Sequence, residues 1–166
     1  MDSKKVLRFI ISIAICEFAG IFGSIFTIAN IPTWYAGLAK PFFAPPNWVF
    51  GPVWTTLYFL MGVALYLIWQ KGFVKPKSLQ VKKRAKLAIY VFSIQLALNV
   101  IWSYLFFGLR NPFLGLIEVI LMWFSILATI ILFWRVSKKA AIMLIPYIAW
   151  VTIATALNAG VWILNP

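Results

Sequence analysis

Residues 112–134 read PFLGLIEVILMWFSILATIILFW and contain a single charged residue, Glu118. The stretch is as long as the roughly 20 apolar residues that cross the hydrocarbon core of a bilayer. Four further stretches of this kind lie at about residues 9–29, 47–69, 87–107 and 140–164. Because backbone groups find no water inside hydrocarbon, we expect each stretch to be a closed α-helix. The sequence predicts an all-α integral membrane protein, a five-transmembrane-helix bundle forming one domain over residues 1–166.

The composition supports the same fold class. Apolar residues make up 64% of the 166 residues and charged residues 11%, whereas soluble domains have roughly 45–50% and about 25%. The net charge of +12 would suggest a nucleic-acid partner in a soluble protein. A bilayer is needed to cover this much apolar surface, so we expect a lipid partner and no nucleic acid.

The positive charges also predict an orientation. Thirteen of the 15 lysines and arginines lie before the first stretch or in the second and fourth connections. Only Lys40 and Arg110 lie on the other side. The positive-inside rule therefore predicts a cytoplasmic N-terminus. This bias favours a bacterial inner membrane, with a mitochondrial outer membrane as the alternative.

The residue types that are missing exclude several kinds of chemistry. The chain has no histidine and one cysteine, Cys16. A Ser-His-Asp triad, a Cys-His pair and a zinc hydrolase site are therefore excluded. We expect no catalytic residues, no metal ligands and no required cofactor.

Polar and aromatic side chains share faces of the predicted helices. Gln95, Asn99 and Ser103 follow one another at four-residue spacing, as do Trp54 and Tyr58 on the second helix. Residues four apart lie on one helical face, and polar groups facing lipid are costly, so these faces should look inward. They fit either interhelical hydrogen bonds with aromatic packing or a small-molecule cavity with aromatic walls.

Two features of the predicted helices leave their roles open. Small residues recur every fourth position on the first helix, at Cys16, Gly20 and Ser24. They fit close packing inside one protomer or a subunit interface. The intramembrane carboxyls of Glu17 and Glu118 fit neutral hydrogen-bonding groups or proton-coupled transport.

Two connections differ sharply in character. Residues 30–53 contain five prolines and many aromatic residues. Proline restricts its own backbone and that of the preceding residue, so we expect a stiff cap over one end of the bundle. Residues 71–86 are basic, and we expect a soluble connection there that can touch anionic headgroups.

Three motifs in order resemble a known family. They are WYAGLAKPFFAPPNWVFGPVWTTLY (34–58), QLALNVIWSYLFFGLRNP (95–112) and PYIAWVTIATALN (146–158). They resemble the translocator protein family, also called the tryptophan-rich sensory protein, TspO/MBR or peripheral-type benzodiazepine receptor family. The resemblance covers nearly the whole chain and the same five-span layout.

The resemblance implies a homodimer that binds porphyrins such as protoporphyrin IX or haem, related tetrapyrroles, and synthetic isoquinoline carboxamide or benzodiazepine ligands. Carried over by position, the family's pocket would comprise Tyr35, Pro45, Trp54, Tyr58, Gln95, Asn99, Ser103, Trp150 and Ala154. The sterol-recognition pattern of animal members is missing, since Ala159 and Ile163 stand at its tyrosine and basic positions. The resemblance also implies cholesterol binding, and the missing pattern counts against it without deciding whether cholesterol binds.

The leading hypothesis is a membrane receptor or carrier for tetrapyrroles with a sensory or regulatory role. Light- and oxygen-dependent porphyrin degradation is an alternative, because Trp54 and Trp150 match tryptophans linked to that reaction in some bacterial relatives. We expect no other enzymatic activity than this photo-oxidation of a porphyrin. A small proton-coupled transporter and a scaffold that recruits a partner through residues 71–86 are further alternatives.

Overall fold

The computed structural model describes residues 3–166 and confirms an all-helical fold with five apolar spans. The α-helices are α1 (Ser3–Thr27), α2 (Phe50–Trp69), α3 (Leu79–Ser103), α4 (Pro112–Trp134), α5 (Lys138–Met143) and α6 (Ile145–Leu164). Single π-helical turns, Gln70–Val74 and Tyr104–Gly108, extend α2 and α3. Helices α5 and α6 together form the fifth span.

The spans form a closed ring. Helix α1 packs against both α2 and α3, α3 packs along α4, and α4 packs along α6. The short α5 contacts α2 and closes the ring. The outer face of α1 exposes large apolar side chains such as Phe18, Phe22 and Ile25, as expected for a surface that faces lipid.

The fifth span is broken between α5 and α6. Proline has no N–H group to continue the helical hydrogen bonds, and Pro146 lies in the first turn of α6. Helix α5 therefore ends at Met143, and Leu144 donates its N–H to the Ala141 carbonyl over 3.0 Å.

The basic segment at residues 71–86 differs from the prediction of a soluble connection. The π-helical turn runs to Val74 and α3 begins at Leu79, so only residues 75–78 connect the two helices. The Ser78 hydroxyl accepts a hydrogen bond from the Val81 N–H at 3.2 Å and caps α3. Lysine and arginine are good helix formers, so the charges extend the helix beyond the apolar stretch.

The proline-rich connection folds over one end of the bundle. The Asn165 side chain at the end of α6 accepts from the Ala39 N–H and donates to the Ala39 carbonyl, both at 3.0 Å. Pro41 lies so close to α6 that a Cβ on Gly160 would stand 2.9 Å from its ring. Trp34 packs edge-on against Phe106, with ring centres 5.5 Å apart.

The small residues of α1 pack inside the protomer. A Cβ on Gly20 would collide with the Tyr58 ring, and one on Gly23 would stand 3.1 Å from the Ser103 hydroxyl. Cys16 is fully buried. This side of α1 therefore packs against α2 and α3, which favours the first of the two interpretations of the small-residue spacing.

Candidate functional site

A cavity of about 340 Å³ lies between α1, α2 and α3 and opens to the bundle surface, where its lining residues Ile21, Ile28 and Thr55 are exposed. This volume lies at the lower end of the range for small-molecule pockets. Polar groups in its lining come from Glu17, Ser24 and Thr27 on α1 and from Asn99 and Ser103 on α3. The cavity combines apolar walls with a few polar groups, as ligand sites usually do.

Asn99 fixes the wall of this cavity, called the larger cavity below, through hydrogen bonds to neighbouring helices. Its side-chain oxygen accepts the Tyr58 hydroxyl, and its amide nitrogen donates to the Tyr147 hydroxyl over 3.0 Å. The Tyr147 hydroxyl in turn donates to the Met122 sulfur at 3.7 Å. This chain of contacts links α2, α3, α6 and α4. Asn99 therefore connects four helices beside the cavity.

A second, smaller cavity of about 20 Å³ lies beneath the proline-rich cap. It has room for about one water molecule. Tyr35, Trp54, Trp150 and Ala154 line it, so four of the predicted pocket residues meet there. The Tyr35 hydroxyl and the Trp150 indole N–H are buried without a hydrogen-bond partner. A buried donor without a partner is costly, so both groups are available to a ligand that can accept.

The two cavities share an aromatic partition. Phe50, Trp54, Trp102 and Phe107 line both of them. Phe50 packs edge-on against Trp150, and Trp54 packs edge-on against Tyr147, with ring centres 6.1 Å and 6.2 Å apart. Phe50 and Trp54 lie one turn apart on α2 and form part of the partition that the two cavities share.

Tyr35 is the contact between the cap and the site. Its ring is 1% exposed and packs on Phe50, Phe106 and Phe107. Burial raises the pKa of the Tyr35 hydroxyl to about 12. The Lys40 ammonium lies 4.8 Å from the centre of the same ring, which places one positive charge beside this end of the bundle.

Two of the predicted pocket residues line neither cavity. Pro45 lies in the cap and is partly exposed. Gln95 is 1% exposed, its amide nitrogen lies 3.9 Å from the Met61 sulfur, and its side-chain oxygen has no hydrogen-bond partner. Gln95 shares a face with Asn99 but lies one turn further from the cap.

Several lining residues are not among those that the resemblance implied. Phe106 and Phe107 belong to the π-helical turn that follows α3, and Asn158 lies one turn beyond Ala154 on α6. Asn158 accepts from the Trp102 indole at 3.2 Å and donates to the Pro112 carbonyl at 2.7 Å. Its four-residue spacing from Ala154 does indicate this inward-facing position in the sequence, whereas the π-helical turn has no such signal.

The two intramembrane acids lie in different surroundings. Glu17 is half-buried and lines the larger cavity. Glu118 on α4 is 4% exposed, and both of its carboxyl oxygens are buried without a hydrogen-bond partner.

Residues 3–166 contain no cluster of three or more histidine, cysteine, aspartate or glutamate side chains that could hold a metal ion.

Comparisons with known proteins agree with the resemblance seen in the sequence. A model of the TspO/MBR family matches residues 12–163. The tryptophan-rich protein TspO of Archaeoglobus fulgidus is 42% identical over 161 residues, which cover 97% of this chain and 99% of the relative. The translocator protein of Homo sapiens is 40% identical over 142 residues, covering 84% and 79%. The tryptophan-rich sensory protein of Cereibacter sphaeroides is 35% identical over 132 residues, covering 80% and 77%. With its five apolar helices and a family match over most of its length, the chain belongs to the TspO/MBR family of membrane proteins.

Proposed function

We propose that this protein is a membrane receptor or carrier that binds porphyrins and related tetrapyrroles and serves a sensory or regulatory role. The observation that carries the proposal is the pair of neighbouring cavities whose shared lining is aromatic. A flat aromatic macrocycle needs this combination of apolar walls, ring faces and few polar groups. Drug-like isoquinoline carboxamides and benzodiazepines have the same requirements.

The macrocycle would lie between Trp54 and Trp150 once the partition opens. Aromatic pairs contribute roughly 0.5–1.5 kcal/mol each beyond the burial of their surface. The free Tyr35 hydroxyl and Trp150 N–H would donate to acceptor atoms of the ligand, and Lys40 would attract its carboxylates. A chain without histidine offers haem iron no imidazole ligand, so stacking and edge contacts would hold the macrocycle.

A titration with a matched control tests this function. We expect protoporphyrin IX to shift its main absorption band on addition of the wild-type protein in lipid nanodiscs. The double variant Trp54→Leu/Trp150→Leu should bind about tenfold more weakly, because two stacking partners are lost. The control Trp48→Leu/Trp162→Leu removes two exposed indoles and should bind like the wild type. Equal affinity of all three proteins would refute the proposal.

Light- and oxygen-dependent degradation of the bound porphyrin is a second candidate function. It is favoured by the presence of Trp54 and Trp150 in the lining of one small cavity, where both indoles would contact the same ligand. We expect illumination in air to convert the porphyrin to a new product in the wild type and not in the double variant. The absence of a tryptophan-dependent product would leave binding as the function.

We also propose that the N-terminus faces the cytoplasm of a bacterial cell. The support is the clustering of basic residues at the α1 start and in the α2–α3 and α4–α5 connections. In a Cys16→Ser background, a cysteine replacing Lys40 should react with an impermeant maleimide added to intact spheroplasts. A cysteine replacing Lys77 should react only after lysis, and the reverse pattern would overturn this orientation.

A further inference from the structure

A third space lies on the bundle surface, near the basic end and away from the two interior cavities. This groove has a volume of about 380 Å³ and almost purely apolar walls. Its lining includes Ile15 on α1, Trp69 and Phe73 at the end of α2, and Ile89 and Leu96 on α3. We propose that the groove holds an acyl chain of an anionic phospholipid whose phosphate binds Lys82 and Lys86.

The register of α3 supports this assignment. Positions 82, 86, 89, 93 and 96 are separated by three or four residues and therefore follow one face of the helix. Lys82 and Lys86 are both exposed, and the groove begins at Ile89 on the same stripe. At 1.5 Å per residue, the two lysine backbones lie about 5 Å and about 10 Å before Ile89.

The neighbouring helices add positive charge at the same level. Arg8 lies seven residues, or about two turns, before the groove residue Ile15 on α1. Lys71 is exposed in the π-helical turn, two residues after the groove residue Trp69. Each of the three elements that form the groove therefore carries a basic residue within about two turns of a groove residue.

Acidic side chains do not offset this charge. The acids within residues 3–166 are Glu17 and Glu118, and neither lines the groove. Glu17 lines the larger interior cavity instead, and Glu118 is buried on α4. Among residues 3–166, an anionic headgroup thus meets only positive charge beside the groove, whereas a zwitterionic headgroup gains less from the same residues.

The groove length fits one membrane leaflet. From Ile89 to Leu96 the α3 backbone rises about 10 Å, which lies within the half-thickness of a hydrocarbon core of about 30 Å. Trp69 at this end has the amphipathic ring that favours the headgroup level. The site therefore places an apolar groove for the acyl chain toward the membrane centre and basic residues for the phosphate toward the membrane surface.

Native mass spectrometry of the full chain in detergent tests the proposal. We expect dioleoylphosphatidylglycerol to bind about tenfold more tightly than dioleoylphosphatidylcholine. The variant Lys82→Gln/Lys86→Gln should lose this preference. The control Lys77→Gln/Lys83→Gln removes the same charge from positions off the stripe and should keep it. Ser93→Phe, which fills the groove from an exposed position, should weaken the binding of both lipids.

Three results would overturn the assignment. Equal affinity for the two lipids would remove the role of charge, and equal loss in both lysine variants would show a diffuse charge effect without a site. Displacement of the lipid by millimolar glycerol 1-phosphate would show a site for a free phosphate that needs no acyl chain. Circular dichroism of every variant confirms that the helices are retained, so a loss of binding reports on the site.

Discussion

Single residues decide how closely the helices of this protein approach one another. Gly20 on α1 lies against the Tyr58 ring, which in turn donates its hydroxyl to Asn99. Any side chain at Gly20 would therefore displace a member of the buried hydrogen-bond chain that ends at Met122. The glycine is needed for packing, and its effect reaches the wall of the larger cavity.

Replacing Gly20 by alanine should destabilise the protein by about 1–3 kcal/mol, the range for overpacked interiors. The added methyl group collides with the Tyr58 ring. Thermal unfolding in detergent measures this change. Gly37→Ala is the matched control, because a Cβ there meets no atom within 4 Å. Equal melting temperatures for the two variants would contradict the packing described for α1.

Tyr35 should make stability depend on pH in the alkaline range. Burial raises the pKa of its hydroxyl from 10.0 to about 12, so the folded state holds the proton more tightly than the unfolded state. The stabilisation is complete below about pH 10 and is lost as the pH rises toward 12. Tyr35→Phe removes the titrating group and should show a smaller fall in melting temperature between pH 9 and pH 12. An identical fall in both proteins would show that Tyr35 is not buried.

Glu118 is a residue whose removal should increase stability. Its carboxyl oxygens lack partners, and a buried polar group without a partner costs about 1–3 kcal/mol. Glu118→Met replaces it by an apolar side chain of similar length and should raise the melting temperature. Glu118→Gln keeps a polar group there and should not. A lower melting temperature for Glu118→Met would mean that the carboxyl makes a stabilising bond.

The sequence predicted which face of α3 looks inward, but not which residues on that face line a cavity. Four-residue spacing correctly turned Asn99 and Ser103 toward the interior, where both line the larger cavity. The same spacing also selected Gln95, which lies too far along α3 to reach either cavity. Periodicity fixes the face of a helix and not the level at which a cavity opens, since that level depends on neighbouring helices.

At the scale of elements, the cap is joined to the last helix through a few contacts. Asn165 makes two hydrogen bonds with Ala39 and donates a third to the Val161 carbonyl at 2.7 Å. Pro41 packs directly on Gly160. These contacts hold Tyr35 above the smaller cavity, so the cap and the site should loosen together.

Asn165→Ala should release the cap. We expect faster hydrogen exchange of the Ala39 amide, because its acceptor is lost, and a net cost of about 1–2 kcal/mol from the missing hydrogen bonds. Asn47→Ala, at an exposed position of the same connection, serves as the control. Unchanged exchange at Ala39 in the Asn165 variant would show that packing alone holds the cap.

The ends of a helix were predictable from the sequence where they coincide with the ends of an apolar stretch. They were not predictable where a capping residue sets the start of the helix. The predicted range of 112–134 for α4 agrees with the structure, since Asn111 and Pro112 begin the helix just where the apolar stretch starts. Helix α3 begins eight residues before the predicted 87, because Ser78 caps a charged extension that hydropathy does not detect. The break in the fifth span follows from Pro146, a signal that the sequence does contain.

For the whole molecule, the ring of five spans determines what the interior can hold. The positive-charge pattern and span lengths were enough to predict the fold, because a bilayer leaves few alternatives to a helical bundle. The division of the interior into two cavities was not predictable. The aromatic side chains that line both cavities come from α2, α3 and the π-helical turn after α3, and only the packed structure brings them together.

A structure of the protein in lipid nanodiscs with protoporphyrin IX tests the central claim most directly. We predict density for the macrocycle between Trp54 and Trp150 under Tyr35, with the Phe50 and Trp54 side chains rotated so that the two cavities are one. The hydrogen bonds between the Asn165 side chain and the Ala39 backbone should remain in place over the ligand. Porphyrin density only on the outer, lipid-facing surface, with the aromatic partition unchanged, would contradict the account.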